Sequence, residues 1–177
     1  MKSFFIVHNE KLVEDRLPIY HDLIDKYLTN EHLNVRQQHK LFNFEIKYKY
    51  TELYNKICNV AINICKNEFI KFENYQPVDS LKTYISNKDN YDSWVHNHGL
   101  VYNSLTIVYY FSVPKANGGE LVLYKQDQHT EISRYKPKEY DLLIFPSYVY
   151  HKPLKIDSNN FRISMNTTIE ADYTYKD

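Results

Sequence analysis

Two imidazoles stand two positions apart in the stretch Trp94-Val95-His96-Asn97-His98. The surrounding segment, Ser93–His98, reads as a strand, and alternate side chains of a strand share a face. His96 and His98 would then point the same way, with Cα atoms about 7 Å apart. That spacing suits chelation of one metal ion. A third imidazole, His151, follows 53 residues after His98, and Arg162 comes eleven residues beyond it. Two close ligands, a distant one and a cation after it form the constellation with the most chemical content. The remaining five histidines, His8, His21, His32, His39 and His129, have no such company and read as solvated.

The elements that must position these residues are mostly strands. Leu81–Ser86, Leu105–Val113, Glu120–Lys125, Glu131–Tyr135, Asp141–Phe145 and Phe161–Ile169 join Ser93–His98 as strands. The turns between them carry Asn87-Lys88-Asp89-Asn90, Asn117-Gly118-Gly119 and Asp157-Ser158-Asn159-Asn160. Along the last strand, Arg162, Ser164, Asn166 and Thr168 form one face, and Ile163, Met165, Thr167 and Ile169 the other. An apolar face belongs under a helical layer, which leaves the polar face inside a barrel. Buried polar groups are costly there unless they are paired or bind something. By the same logic Leu105, Ile107, Tyr109 and Phe111 face the helices, and Thr106, Val108 and Tyr110 face inward.

Before residue 80 the pattern is more helical. Tyr20, Leu23, Ile24, Tyr27 and Leu28 recur at the spacing of one helix face, and Pro18 fits the first turn. Residues 29–40 read as a loop. Phe42, Phe44, Ile46, Tyr48 and Tyr50 alternate with polar residues and read as a half-buried strand. Thr51 is placed to cap a second helix over 52–72, with Leu53, Ile57, Val60, Ala61, Ile64 and Cys65 on its apolar face. The expected fold is α+β: a double-stranded β-helix, or jelly roll, over about 79–170, with helical support over about 1–78 packed on one sheet.

Composition bounds the partners. The 177 residues suit a single domain, 1–177. Lysine plus arginine balances aspartate plus glutamate at 22 each, which disfavours a nucleic-acid partner. No apolar run is long enough to span a bilayer, and the apolar start is too short for a signal peptide. Cys58 and Cys65 lie in one predicted helix, about 10 Å apart by helix rise, too far for a disulfide. A reducing cytoplasm is the expected compartment. Oligomeric state leaves no mark in the sequence.

Four pieces, in this order and spacing, resemble the 2-oxoglutarate- and Fe(II)-dependent oxygenases. They are Trp94–His98 with the following Ile107–Phe111; Gly118-Gly119-Glu120-Leu121-Val122; Pro137–Ser147 ending in His151; and Arg162-Ile163-Ser164-Met165-Asn166. The likeness is greatest to the prolyl-4-hydroxylase-like branch and to short oxygenases of phages and marine bacteria, which admits a virus-encoded protein acting in a host cytoplasm. It spans roughly 82–170. The resemblance implies Fe(II) and 2-oxoglutarate as cofactors, with O2 and a small-molecule or peptide substrate as partners. The reaction implied is C–H hydroxylation with release of succinate and CO2. It implies that His96 and His151 are iron ligands. The family's carboxylate ligand is His98 here; an off-motif acid such as Asp92 is the lesser candidate for that role. It implies that Arg162 clasps the far carboxylate of 2-oxoglutarate, a task suited to a planar guanidinium. Ser164, Tyr84, Tyr110 and Asn166 are candidates to add hydrogen bonds. Tyr140 stands where the family has glycine, which should alter the turn into Asp141.

Other functions remain open on the residues alone. Three imidazoles also suit zinc, copper or nickel. A three-histidine cupin-type dioxygenase would need no keto acid and would leave Arg162 without a role. A jelly-roll binding module that has lost iron chemistry is the non-catalytic alternative. Gly118-Gly119 reads as a turn, since no Lys-Ser/Thr pair or helix follows to cradle a phosphate.

Overall fold

The computed structural model describes residues 5–29, 42–45, 50–78, 81–91, 94–99 and 103–176. Among the described residues, ten strands and two helices run in the order β1 (Ile6–Asn9), α1 (Leu17–Thr29), β2 (Phe42–Glu45), α2 (Thr51–Glu68), β3 (Phe69–Pro77), β4 (Lys82–Ser86), β5 (Ser104–Ser112), β6 (Leu121–Tyr124), β7 (Glu131–Tyr135), β8 (Asp141–Pro146), β9 (Tyr150–Pro153) and β10 (Arg162–Tyr175). The larger sheet has the order β1-β8-β5-β10-β4-β2, with β3 paired to the far half of β10. The smaller sheet is β7-β6-β9. All pairings are antiparallel. This is the expected jelly roll.

Two apolar layers hold it together, and the alternation in β5 and β10 decides which residue joins which. Leu105, Ile107, Tyr109 and Phe111 of β5, with Ile163, Met165 and Ile169 of β10, form one core with Leu23 of α1 and Leu53, Ile57, Ala61 and Cys65 of α2. Val108 and Tyr110 turn the other way, against Leu121, Leu123, Leu143, Phe145 and Val149 between the sheets. The two-residue period of a strand thus sorts apolar side chains under the helices and leaves the opposite face for polar ones. Cys58 and Cys65 are buried free thiols, and burial pushes the Cys58 thiol up to about 11.

Several expected elements differ. The second helix stops at Glu68 rather than 72, and Phe69–Pro77 is a strand. Phe69 and Phe72 are spaced like a helix face, yet their rings stack in parallel, 5.9 Å apart, as β3 lies along β10. Register shifts between Glu170 and Asp172 and between Thr174 and Tyr175 break the alternation that marks a regular strand. Thr51 is the first helical residue rather than the cap, which is Tyr50. The Tyr50 phenol donates to Asp22 of α1, which ties the start of α2 to the first helix. Leu28, expected on the buried face of α1, is 65% exposed. The Phe42–Tyr50 strand is described only as Phe42–Glu45; the rest of that reading, and the loop at 29–40 beyond Thr29, lie outside the described residues. In the turn before Asp141, which Tyr140 was expected to alter, Tyr140 itself takes φ +70°, the left-handed conformation a glycine would adopt, and its N–H donates to Tyr110 O at 2.7 Å.

No helix among the described residues is long and apolar enough to cross a membrane.

Candidate metal and keto-acid site

β9 was not expected from the sequence, and it is what places His151. Pro146 closes β8, the N–H of Val149 turns back to Pro146 O at 3.1 Å, and the chain re-enters the smaller sheet at Tyr150. His151 then sits opposite Leu123 of β6 and is buried.

The segment carrying His96 and His98 is not the strand expected. Among its described residues a single β-bridge, His96 to His151, replaces a ladder. The two residues exchange N–H···O bonds of 3.0 and 2.7 Å, and His98 N–H donates to Ser147 O at 3.0 Å. The Asn97 side chain accepts from Gly99 N at 3.3 Å and donates to Tyr148 O at 3.4 Å. The histidines still converge, because backbone bonds dock the segment on the turn before His151. Ring centroids lie 5.5 Å apart for His96 and His98, 4.4 Å for His96 and His151, and 4.9 Å for His98 and His151.

Ring orientation favours coordination. His151 Nδ1 meets Val149 O at 3.1 Å, and His96 Nδ1 meets Trp94 O at 3.4 Å. A carbonyl only accepts, so these contacts place a proton on Nδ1 of both rings, and in His151, which burial keeps neutral, Nε2 then carries the lone pair. One ligand atom from each of the three rings lies within 4.8 Å of the others. His98 Nε2 and His151 Nε2 are 3.1 Å apart. Two nitrogens each about 2.1 Å from one ion, at right angles, would be about 3.0 Å apart. Burial and the two neighbouring imidazoles hold His151 well below the usual histidine range, so it is neutral and able to ligate. The residues therefore fit a divalent metal.

Next to the imidazoles is a small cavity, about 40 Å³, lined by residues that include His96, His151, Tyr84, Tyr110, Arg162, Ser164 and Asn166. Strand register builds it. Ser164 lies opposite Tyr84 of β4 on one side and Tyr110 of β5 on the other, so three hydroxyl side chains form a row across three strands. Arg162, two residues before Ser164 on the same face, is 4% exposed. Its Nε donates to Ser86 Oγ at 3.1 Å, and its Nη1 to Gly119 O at 3.0 Å and Leu154 O at 3.2 Å. Burial pushes the Tyr110 phenol up to about 12, against the opposing pull of Arg162, so Tyr110 stays a neutral donor. Asn166 Oδ1 is buried without a hydrogen-bond partner, and its amide is a polar group turned toward the cavity. The chemistry fits an anion: Arg162 is the one formally charged residue of the lining.

Sequence reasoning missed Ser86, which lies two residues from Tyr84 on the same strand face and could have been found by the period of two. It also missed the Gly119 and Leu154 carbonyls, which no side-chain pattern reveals. Asp92 lies outside the described residues.

A family model described as the 2OG-Fe(II) oxygenase superfamily matches residues 66–170, which contain every residue of this site. The chain belongs to that superfamily. Membership implies Fe(II) and 2-oxoglutarate, in keeping with the three-histidine group. The fold has solved counterparts. A prolyl-4-hydroxylase from Pseudomonas putida is 16% identical with a TM-score of 0.63, over 95% of this chain and 92% of that one. A prolyl hydroxylase from Trichoplax adhaerens, in complex with a hypoxia-inducible-factor peptide fragment, is 14% identical with a TM-score of 0.63, over 94% and 82%. A non-haem alpha-ketoglutarate-dependent carbocyclase from nogalamycin biosynthesis is 13% identical with a TM-score of 0.64, over 97% and 81%. No curated protein sequence matches the chain.

Proposed function

We propose that this 2OG-Fe(II) oxygenase hydroxylates a C–H bond of a small molecule or an extended peptide, converting 2-oxoglutarate and O2 into succinate and CO2. The observation that carries the reading is one cavity with a buried guanidinium in its wall and converging imidazoles beside it. His96, His98 and His151 hold the iron. Arg162 grips the distal carboxylate of the keto acid, with Ser164, Tyr84, Tyr110 and Asn166 as further hydrogen-bonding groups. The iron, when bound, supplies oxygen activation and oxidative decarboxylation.

The chain's own residues do the rest. The Nδ1 bonds of His96 and His151 to carbonyls keep their Nε2 atoms aimed inward. Val108 and Leu121 give the lining an apolar side. Tyr110 presents a phenol that remains protonated through the physiological range. The peptide alternative for the substrate draws support from the peptide held by the Trichoplax relative.

Oxygen-dependent succinate release tests the reading. The native protein with Fe(II) should release succinate from 2-oxoglutarate, faster once a substrate is present. Arg162→Ala should raise the 2-oxoglutarate concentration needed by about 10- to 100-fold, the worth of a charged hydrogen-bonded contact. Turnover with unchanged keto-acid dependence in Arg162→Ala would favour the three-histidine dioxygenase instead.

A further inference from the structure

The site is short of negative charge. The three candidate ligands are imidazoles, which ligate in their neutral form, and no carboxylate joins their group among the described residues. The cavity beside them is lined by a single formally charged residue, and it is a cation, Arg162. Asp141 is the buried carboxylate among the described residues, and it is committed elsewhere. It accepts from Asn9 Nδ2 at 2.8 Å, Tyr135 Oη at 2.9 Å and Lys138 N at 2.6 Å, and it opens on a different groove. A divalent ion on the three imidazoles would add two positive charges beside a buried guanidinium. Uncompensated charge in a partly buried site is strongly disfavoured. A dianion that touches both the ion and Arg162 cancels the ion's charge at once.

We propose that His98 makes metal and keto acid bind as an obligate pair: the dianionic co-substrate supplies the negative charge that a carboxylate at position 98 would otherwise give. This inference rests on the assignment of His96, His98 and His151 as metal ligands. Its consequence is a protein that holds its metal weakly until 2-oxoglutarate arrives and holds 2-oxoglutarate weakly without metal. By linkage the two enhancements are equal. The Arg162 bonds to three neutral oxygens, Ser86 Oγ, Gly119 O and Leu154 O, are the ones an incoming carboxylate would exchange for charged contacts. Metal occupancy would therefore track the supply of the keto acid, a property set by one side chain.

Mn(II) is a probe that needs no turnover, because its free form gives a sharp paramagnetic resonance signal that broadens on binding. Its affinity is measured with and without 2-oxoglutarate, correcting for the Mn(II) that free keto acid itself holds. In the native protein, 2-oxoglutarate should tighten Mn(II) binding by about 50-fold or more. In His98→Asp, Mn(II) alone should bind about 10-fold tighter, and the enhancement by 2-oxoglutarate should shrink by about 10-fold. His98→Gln keeps a neutral donor, so its enhancement should stay within about 3-fold of native even where metal binding weakens. Equal enhancement in the native protein and His98→Asp overturns the inference. So does tight Mn(II) binding by the native protein alone with an enhancement below about 5-fold. Absence of Mn(II) binding in either condition overturns the ligand assignment itself, and with it the pairing.

Discussion

His151 is buried, carries two imidazole neighbours, and donates through Nδ1 to a backbone carbonyl. Its folded-state pKa lies below the ordinary value of about 6.5, so the folded protein resists its protonation. In the metal-free protein this neutral imidazole contributes stability that is fully present above about pH 6.5 and is lost as pH falls toward the folded pKa. Urea midpoints of metal-free protein at pH 7.5 and 5.5 should fall with acidification, and His151→Asn should flatten the fall. An equal fall in the variant would show that other groups account for it. Acid should also release metal, since each imidazole must be neutral to ligate. The grouping of His96, His98 and His151, with Arg162 beside them, was anticipated from residue spacing together with the family resemblance, and the fold brings these residues together. Ser86 was missed, although it shares a strand face with Tyr84, two residues before it. The carbonyls that hold Arg162 were not legible in the sequence, because a backbone acceptor has no residue type.

Among the elements, the turn at Asn117-Gly118-Gly119 ties the smaller sheet to the site. Gly119 N–H donates to Lys155 O at 2.7 Å, and Gly119 O accepts from Arg162 at 3.0 Å. Both glycines have positive φ, +72° at Gly118 and +80° at Gly119. A Cβ on Gly118 would stand 2.2 Å from the Lys155 carbonyl oxygen, whereas on Gly119 it would meet only the Ile156 side chain, at 3.2 Å. Gly118→Ala should therefore cost about 2–4 kcal/mol and Gly119→Ala about 1 kcal/mol, read as urea midpoints. The reverse order would contradict this account of the turn. The element that sequence periodicity described well is α1, whose apolar stripe packs on one core. Those it missed have a physical reason. β3 carries its core aromatics at a helix-like spacing while its pairing with β10 is broken by register shifts. The His96–His98 segment owes its placement to bonds with residues some fifty positions away, which local pattern does not record.

In the whole molecule, two opposed sheet faces divide the work. One face of the larger sheet packs on both helices and supplies much of the buried apolar core. The other meets the smaller sheet and gives up part of its apolar contact to a polar cavity. The jelly roll was readable from the order of elements and the alternation in β5 and β10. The N-terminal contribution to the larger sheet was only partly so, because β1 and β2 are four residues each and gain their strand character from β8 and β4. We propose that His96, His98 and His151 hold an iron ion and that Arg162, in the cavity beside them, holds the keto acid. This assignment is tested most directly by adding Fe(II) and 2-oxoglutarate anaerobically and recording the visible spectrum. The account predicts a weak metal-to-ligand charge-transfer band from the chelated keto acid, one that needs more 2-oxoglutarate to develop in Arg162→Ala. Iron that binds without producing the band, or a failure to bind iron at all, would contradict it.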